Sequence, residues 1–516
     1  MEVFEIVIAL LLGGAILAAF ARRIGTPYPA LVAIAGAALA LLPRVPSLSP
    51  DPELALALFV APVLLDAAFD ASQRDLRKNW RAVIGLALGA VVLTVLVVAV
   101  VAHALVPGLP WAAAIALGAI VAPPDAAAAT AVLKQLRPPN RLLVILEGES
   151  LFNDASALLI YRFAVGAAAG GFVSGWSFAG TLVGVGAGSI VLALVLSRVI
   201  LMVVTRIHDV ATSVIFQFCS TFAVWILAER LHLSGILTMV IFAMALSRRS
   251  AQSMAARVRF PSYAVWEVAV FVLNVLAFIL VGFQLRQIVG RTDWTQYVGV
   301  AAAVCVAVIV ARLLWVSGAA FVSRWRCRRG GDDGQVPRDV VALSGRAAWI
   351  VGWCGMRGIV TLAAALALPV HFPHRDLIFF TSFAVVLVTL VVQGMTLRPL
   401  ISWLDVHDDG TVEREVQLAR VETLRAALDA VQDCGGGETA ELLRRRYELR
   451  LRRAEESHAA GDVDAEDVEV IRAATAAERR RLIELRDNDT IGDTAFQQVE
   501  QELDLRELDL PEIAQS

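Results

Sequence analysis

The chain has 516 residues, 58% of them hydrophobic and 18% charged, with a formal net charge of −3 and a mean hydropathy of +0.68. That balance excludes a soluble globular protein and defines a polytopic membrane protein. The small total charge hides two opposite halves: residues before about 405 carry roughly eleven excess positive charges and the remainder roughly fourteen excess negative ones.

Five cysteines (Cys219, Cys305, Cys327, Cys354 and Cys434) are scattered singly. They form no CxxC pair or Cys/His cluster, so neither a metal centre nor a disulfide framework is expected. The opening "MEVFEIVIAL" lacks a basic leader and a small-residue cleavage site, and is read as a first spanning helix rather than a removed signal. A helix needs about 20 apolar residues to cross the hydrocarbon core. Such runs centre on residues 3–20, 28–43, 53–70, 82–106, 111–133, 142–164, 177–204, 210–229, 234–247, 263–285, 295–322, 345–369 and 377–403.

Thirteen spans with the N-terminus outside put "ARRIGTP", "SQRDLRKNWR", "KQLRPPNR", "TRIHD", "SRRSAQSMAARVRF" and "SRWRCRRGGDDGQVPRD" on one side. These loops hold roughly twenty Lys/Arg against roughly five opposite, which places them and the C-terminus in the cytoplasm. An odd count leaves room for two inverted six-helix repeats joined by one extra helix, an arrangement common in secondary transporters.

In the third span, "APVLLDAAFD" carries Asp66, a candidate for the ion access route. The fifth contains "IVAPPDAAAAT". Pro123 and Pro124 supply no backbone N–H and clash with the preceding turn, so the helix is expected to unwind beside Asp125. Broken half-helices expose carbonyls at one end and N–H groups at the other, and a carboxylate suits the second.

The sixth span reads "ILEGESLFND". Charge at the bilayer centre costs at least about 2.5–3.5 kcal/mol per group, so such residues signal function. Ser150 and Asp154 are four residues apart and share a helix face, with Glu147 one turn before. Glu149 and Asn153 form the neighbouring stripe. Hard oxygen ligands of this kind suit a small alkali cation such as Na+. Burial disfavours a charged carboxylate and a bound cation favours it. A buried aspartate therefore trades a proton for a cation, and Asp154 is the leading candidate, with Asp125, Ser150 and Asn153 beside it.

Arg312 in "VIVARLLWV" and Arg357 in "GMRGIV" lie deep in the eleventh and twelfth spans. A buried arginine is costly without a partner, so each is expected to meet a carboxylate, with Glu149 and Asp125 as the obvious choices. The interruption at "CGMRGIV" matches that at "APPDA": counted from the first and eighth spans, both fall in a fifth helix. Paired interruptions at corresponding positions point to a midplane site. Glu267 lies close enough to an interface to be solvated, and Asn274 is assigned to helix–helix hydrogen bonding.

After Trp403 the composition turns polar. Residues 412–432, 438–459 and 463–487 keep helical apolar spacing between abundant charges, broken at "CGGG" and "HAAGDVD". A membrane domain over 1–405 and a small acidic cytoplasmic helical domain over 406–516 are expected, the latter regulating the former or stabilising a dimer.

The segment "EGESLFNDASALLIY" resembles the Glu-Ser-Leu-x-Asn-Asp signature of the cation/proton antiporter-1 family, the sodium–proton exchangers. "VAPPDA", "APVLLDAAF", "ARLLWV" and "GMRGIVTLAAALALP" match further family segments in order, so the resemblance spans about residues 1–405. It implies an all-α membrane protein of thirteen helices with inverted repeats, crossed unwound helices five and twelve, and a homodimer in the plasma membrane. It also implies exchange of Na+ for H+ without net charge, no cofactor and no catalytic residue. Asp154 resembles the ion-binding and proton-accepting aspartate; Ser150 and Asp125 match further ion-site positions. Asn153 stands where electrogenic relatives carry a second aspartate. Glu149 with Arg312 resembles a structural salt bridge, and Arg357 the arginine at the helix-twelve break. One departure is clear: where the family often has Thr-Asp-Pro, this chain has Pro124, Asp125 and Ala126.

The reading is an electroneutral Na+/H+ antiporter, with K+ as the alternative cargo. Its partners are the ions, the bilayer and a second copy; no nucleic acid is expected. A tail-controlled receptor or intramembrane enzyme finds no Ser/His, paired catalytic Asp or metal-ligand pattern in its favour, and inverted broken helices favour alternating access over a channel.

Overall fold

The computed structural model describes residues 2–24, 26–40, 56–133, 138–168, 175–254, 256–291, 294–329, 345–406, 410–433, 437–460 and 480–485, with a few isolated positions besides. The third expected tail helix, 463–487, lies for the most part outside the described residues. Among those described, every regular element is helical. The chain separates into two compact units, Met1–Asp409 and Gly410–Ser516.

In the first unit, α1 (Glu2–Ile24) and α2 (Tyr28–Ala40) are followed by a π-helical turn, Leu56–Val60, that runs into α3 (Ala61–Asp70). Next come α4 (Gln73–Leu105), α5 (Trp111–Val121), α6 (Ala126–Leu133) and α7 (Asn140–Ala168). Helices α8 (Gly175–Val204), α9 (Val210–Arg230), α10 (Gly235–Ser253) and α11 (Ala256–Arg291) lead to α12 (Val298–Arg329). The last stretch holds α13 (Gly345–Trp353), α14 (Ile359–Leu366), α15 (Arg375–Val388), a π-helical turn Thr389–Gln393, and α16 (Gly394–Leu404). Six of the described helical stretches are long and apolar enough to cross a membrane, among them Val83–Leu105, Thr295–Val322 and Arg375–Leu404.

Two apolar runs are each split in the middle. Between α5 and α6 the backbone leaves helical geometry over residues 122–125, where Pro123 and Pro124 cannot donate to the ladder. Between α13 and α14 it does so over "GMRG", residues 355–358. The breaks meet: the Asp125 N–H donates to the Met356 carbonyl at 2.7 Å. Helix α7 packs beside α5 and α4, and α12 beside α4 and α13, so the two broken runs are held from both sides.

The crossing of α2 and α11 depends on the absence of side chains. A methyl group on Gly36 would stand 2.6 Å from the Ile279 carbonyl oxygen, and one on Gly282 would stand 2.5 Å from the Ala33 carbonyl oxygen. Small residues of this kind let membrane helices approach backbone to backbone. Gly282→Ala is therefore expected to lower stability by about 1–3 kcal/mol through overpacking. Gly318, exposed on α12 with open space around its Cα, gives the control. Thermal unfolding in detergent should show a lower midpoint for Gly282→Ala and no loss for Gly318→Ala.

The acidic unit contains α17 (Thr411–Asp433) and α18 (Glu438–Ala460), which pack against each other. Arg425 joins them through Glu455 at 2.8 Å. None of α17 is buried, so the pair has little core of its own.

Candidate functional site

Each split run has two exposed ends, and the side chains around them follow helix electrostatics. The C-terminal end of α5 offers the unsatisfied carbonyls of Val121 and Ala122. Arg357, fully buried, answers them: its Nε donates to Val121 O at 2.9 Å and its Nη2 to Ala122 O at 3.4 Å. Its Nη1 donates to the carbonyl of Gly355, and its backbone N–H to Thr389 Oγ1 at 3.0 Å. The expectation of a carboxylate partner for Arg357 is thus corrected. Carbonyls at a helix C-terminus carry partial negative charge, and several of them solvate a guanidinium without a formal anion.

Asp125 occupies the opposite kind of end. It immediately precedes α6, and its Oδ2 lies against Gly358, the residue before α14. A methyl group at Gly358 would run into that carboxylate. One carboxylate therefore sits where two half-helices begin, the positive end of each dipole.

Helix α7 supplies the rest. Ser150 donates from Oγ to the Pro124 carbonyl at 3.2 Å, tying α7 to the first break. Asp154, one turn further on, is 5% exposed. Asp125, Ser150 and Asp154 line one cavity of about 310 Å³, together with Asp66 and Glu147. Asp66 and Asp70 also line a neighbouring cavity of about 400 Å³, which reaches Glu267.

Glu149 and Asn153 face elsewhere. Glu149 is fully buried and accepts a forked pair from Arg312, Nη1 to Oε1 at 2.6 Å and Nη2 to Oε2 at 3.1 Å. Arg312 Nη2 also donates to Val351 O at 3.2 Å, binding α12 to both α7 and α13. Asn153 donates from Nδ2 to Glu149 Oε1 at 3.2 Å. It belongs to this ion pair and not to the cavity wall. The sequence stripe that separated Glu149 and Asn153 from Ser150 and Asp154 corresponds to two different surroundings.

Several polar cavity residues were missed or assigned another task, Tyr28, Asp70 and Thr130 among them. Thr361, in the first turn of α14, is a lone threonine in "IVTLAAAL" and carries no motif. Asn274, read as a helix-packing residue, also lines the cavity. The usable signal was position: a polar side chain just after a helix break.

The arrangement defines a membrane-embedded ion transporter: carboxylates and hydroxyl oxygens gathered in a cavity where two interrupted helices meet. The comparisons agree. The profile of the transmembrane sodium/hydrogen exchangers matches residues 6–403, and the chain belongs to that family, the monovalent cation:proton antiporters. An uncharacterised Na+/H+ exchanger of Mycobacterium tuberculosis is 30% identical over 511 residues, covering 95% of this chain and 92% of the relative. A protein of Bacillus pumilus named as a sodium, potassium, lithium and rubidium/H+ antiporter is 28% identical over 448 residues, covering 83% of this chain and 66% of that one. The solved sodium proton antiporter MjNhaP1 of Methanocaldococcus jannaschii superposes with a TM-score of 0.58 at 18% identity, covering 76% of this chain and 99% of that chain. The family exchanges cations for protons; it is not an enzyme family and uses no cofactor.

Proposed function

We propose that this protein is an electroneutral Na+/H+ antiporter of the plasma membrane, working by alternating access with Asp154 as the shared proton and cation site. The observation that carries the proposal is the cavity, in which Asp154, Asp125 and Ser150 converge on the break that Pro123 and Pro124 impose. Asp154 loads the cation from one side and the proton from the other, Asp125 and Ser150 add oxygen ligands, and Asp66 lines the access route. Asn153 stays neutral and braces Glu149, so it adds no second exchangeable charge next to Asp154. Glu149, Arg312 and Arg357 serve as the fixed frame. Thirteen spans arranged as two inverted halves, with the N-terminus outside and the acidic unit in the cytoplasm, fit the loop charges. A homodimer, and regulation by residues after 405, belong to the same reading.

K+ is the second reading for the cargo. It is favoured by the broad cation range in the name of the Bacillus pumilus relative; the altered fifth span, in which Pro124 and Ala126 flank Asp125, does not set the selectivity.

The test is cation-driven pH change in proteoliposomes, with and without a voltage clamp set by K+ and valinomycin. Na+-driven exchange indifferent to the clamp is the expected result. Exchange that follows the voltage would rule out one-for-one stoichiometry. Repeating the assay with Li+ and K+ under a separate clamp assigns the cargo.

A further inference from the structure

The cavity at the two breaks is lined by two residues with buried oxygen atoms that no described group satisfies. Thr361 is 1% exposed and Asn274 is 6% exposed. Among the described residues Thr361 Oγ1 and Asn274 Oδ1 have no hydrogen-bond partner, the Asn274 amide being otherwise held by the Tyr28 side chain, and both residues line the cavity that holds Asp125, Ser150 and Asp154. They arrive from α14 and α11, two helices that carry none of those three. Buried polar atoms in folded proteins are nearly always paired, and an exception asks for a missing ligand or ion. Further unpartnered buried side-chain atoms among the described residues, such as those of Thr238, Trp315, Thr381, Ser382 and Gln393 and single atoms of Arg141, Asn153 and Arg312, lie outside this cavity.

We propose that Thr361 Oγ1 and Asn274 Oδ1 are neutral ligands of the transported cation, closing on one side a coordination shell that Asp154, Asp125 and Ser150 form on the other. The inference rests on the antiporter reading of the cavity. A cation stripped of water must recover its hydration oxygens from the protein, and the number and dipole strength of those oxygens govern which alkali ion is preferred. The carboxylates serve proton and cation alike. A hydroxyl and an amide oxygen do not: they coordinate a metal cation well and do not take up a proton at working pH. These two groups therefore act on the cation-loaded state alone. They set affinity and selectivity without carrying the proton.

The experiment is cation-driven exchange in proteoliposomes for the native protein, Thr361→Val, Thr361→Ser, Asn274→Ala and Asp154→Asn, with Li+, Na+ and K+ as substrates. Cation-dependent thermal stabilisation of the purified proteins gives a binding readout that does not require transport. Thr361→Val keeps the shape and loses the oxygen, so its cation KM is expected to rise about tenfold or more with kcat within about twofold. Thr361→Ser should restore a near-native KM. Asn274→Ala should raise KM and shift the ratio of Li+ to Na+ to K+. A packing defect would lower the folded fraction and leave that ratio alone. Native KM and native ratios in both Thr361→Val and Asn274→Ala overturn the proposal. If Thr361→Val does not fold, the KM and ion ratios of Asn274→Ala decide. Asp154→Asn separates the two levels: exchange retained there sinks the antiporter assignment of the cavity, whereas exchange lost there with unaltered Thr361 and Asn274 variants sinks only the ligand assignment.

Discussion

Asp154→Asn is expected to abolish cation-driven proton exchange while leaving the protein folded. Asparagine keeps the volume and planar shape of aspartate, so α7 and its packing survive. What disappears is the negative charge that holds the cation and the basic oxygen that takes the proton. Because the same atom does both jobs, neither half-reaction has a substitute. The rate should fall at least about a hundredfold, a loss of about 2.7 kcal/mol or more in barrier terms. The measurement is the initial rate of pH change in proteoliposomes, paired with the thermal midpoint of the same preparation. A rate above about a tenth of native, where the expected loss is worth about 2.7 kcal/mol, would remove Asp154 from the proposed role.

The second large effect is on stability. Glu149 and Arg312 are 0% and 2% exposed and form a forked pair at 2.6 and 3.1 Å. Removing one member of a buried pair leaves an uncompensated charge and costs about 3–5 kcal/mol, whereas replacing both with apolar groups is often close to neutral. Glu149→Gln and Arg312→Met should each lower the thermal midpoint sharply, and Glu149→Leu with Arg312→Met should recover most of the loss. The pair between Arg162 and Glu229 supplies the contrast. It is comparably short at 2.8 Å, but its side chains are 49% and 37% exposed, so Arg162→Met should cost no more than about 1 kcal/mol. Equal effects at the two pairs would mean that burial does not set the difference.

Much of this site was legible in the chain because its parts are local. Helical spacing placed Ser150 and Asp154 on one face and Glu149 and Asn153 on another, and two consecutive prolines forecast the interruption beside Asp125. Glu149 and Arg312 were legible as charges in need of partners; their pairing came from the family resemblance. What stayed hidden depends on groups without a sequence signature. The partners of Arg357 are backbone carbonyls, and they became available only because α5 ends at Val121. The π-helical turns at Leu56–Val60 and Thr389–Gln393 leave no mark on hydrophobic periodicity. Thr361 reads as filler in an apolar helix until the fold brings it to the cavity that Asp125 and Asp154 also line. Helices α17 and α18 followed from charge and apolar spacing alone, because nothing distant determines a solvated helical pair.

The neutrality of the Glu149–Arg312–Asn153 group has a consequence for the cell. With that frame fixed and uncharged overall, the proposed one-for-one exchange moves the same net charge whether the carrier holds a proton or a cation. Such a device is blind to membrane voltage and is driven by concentration ratios alone. Each pH unit across the membrane can sustain about a tenfold cation ratio, since one pKa unit and one decade of binding are the same free energy. Expulsion against a cation gradient then requires an exterior more acidic than the cytoplasm. In alkaline surroundings the same mechanism turns round, drawing cation inward and sending protons out until the two ratios are equal.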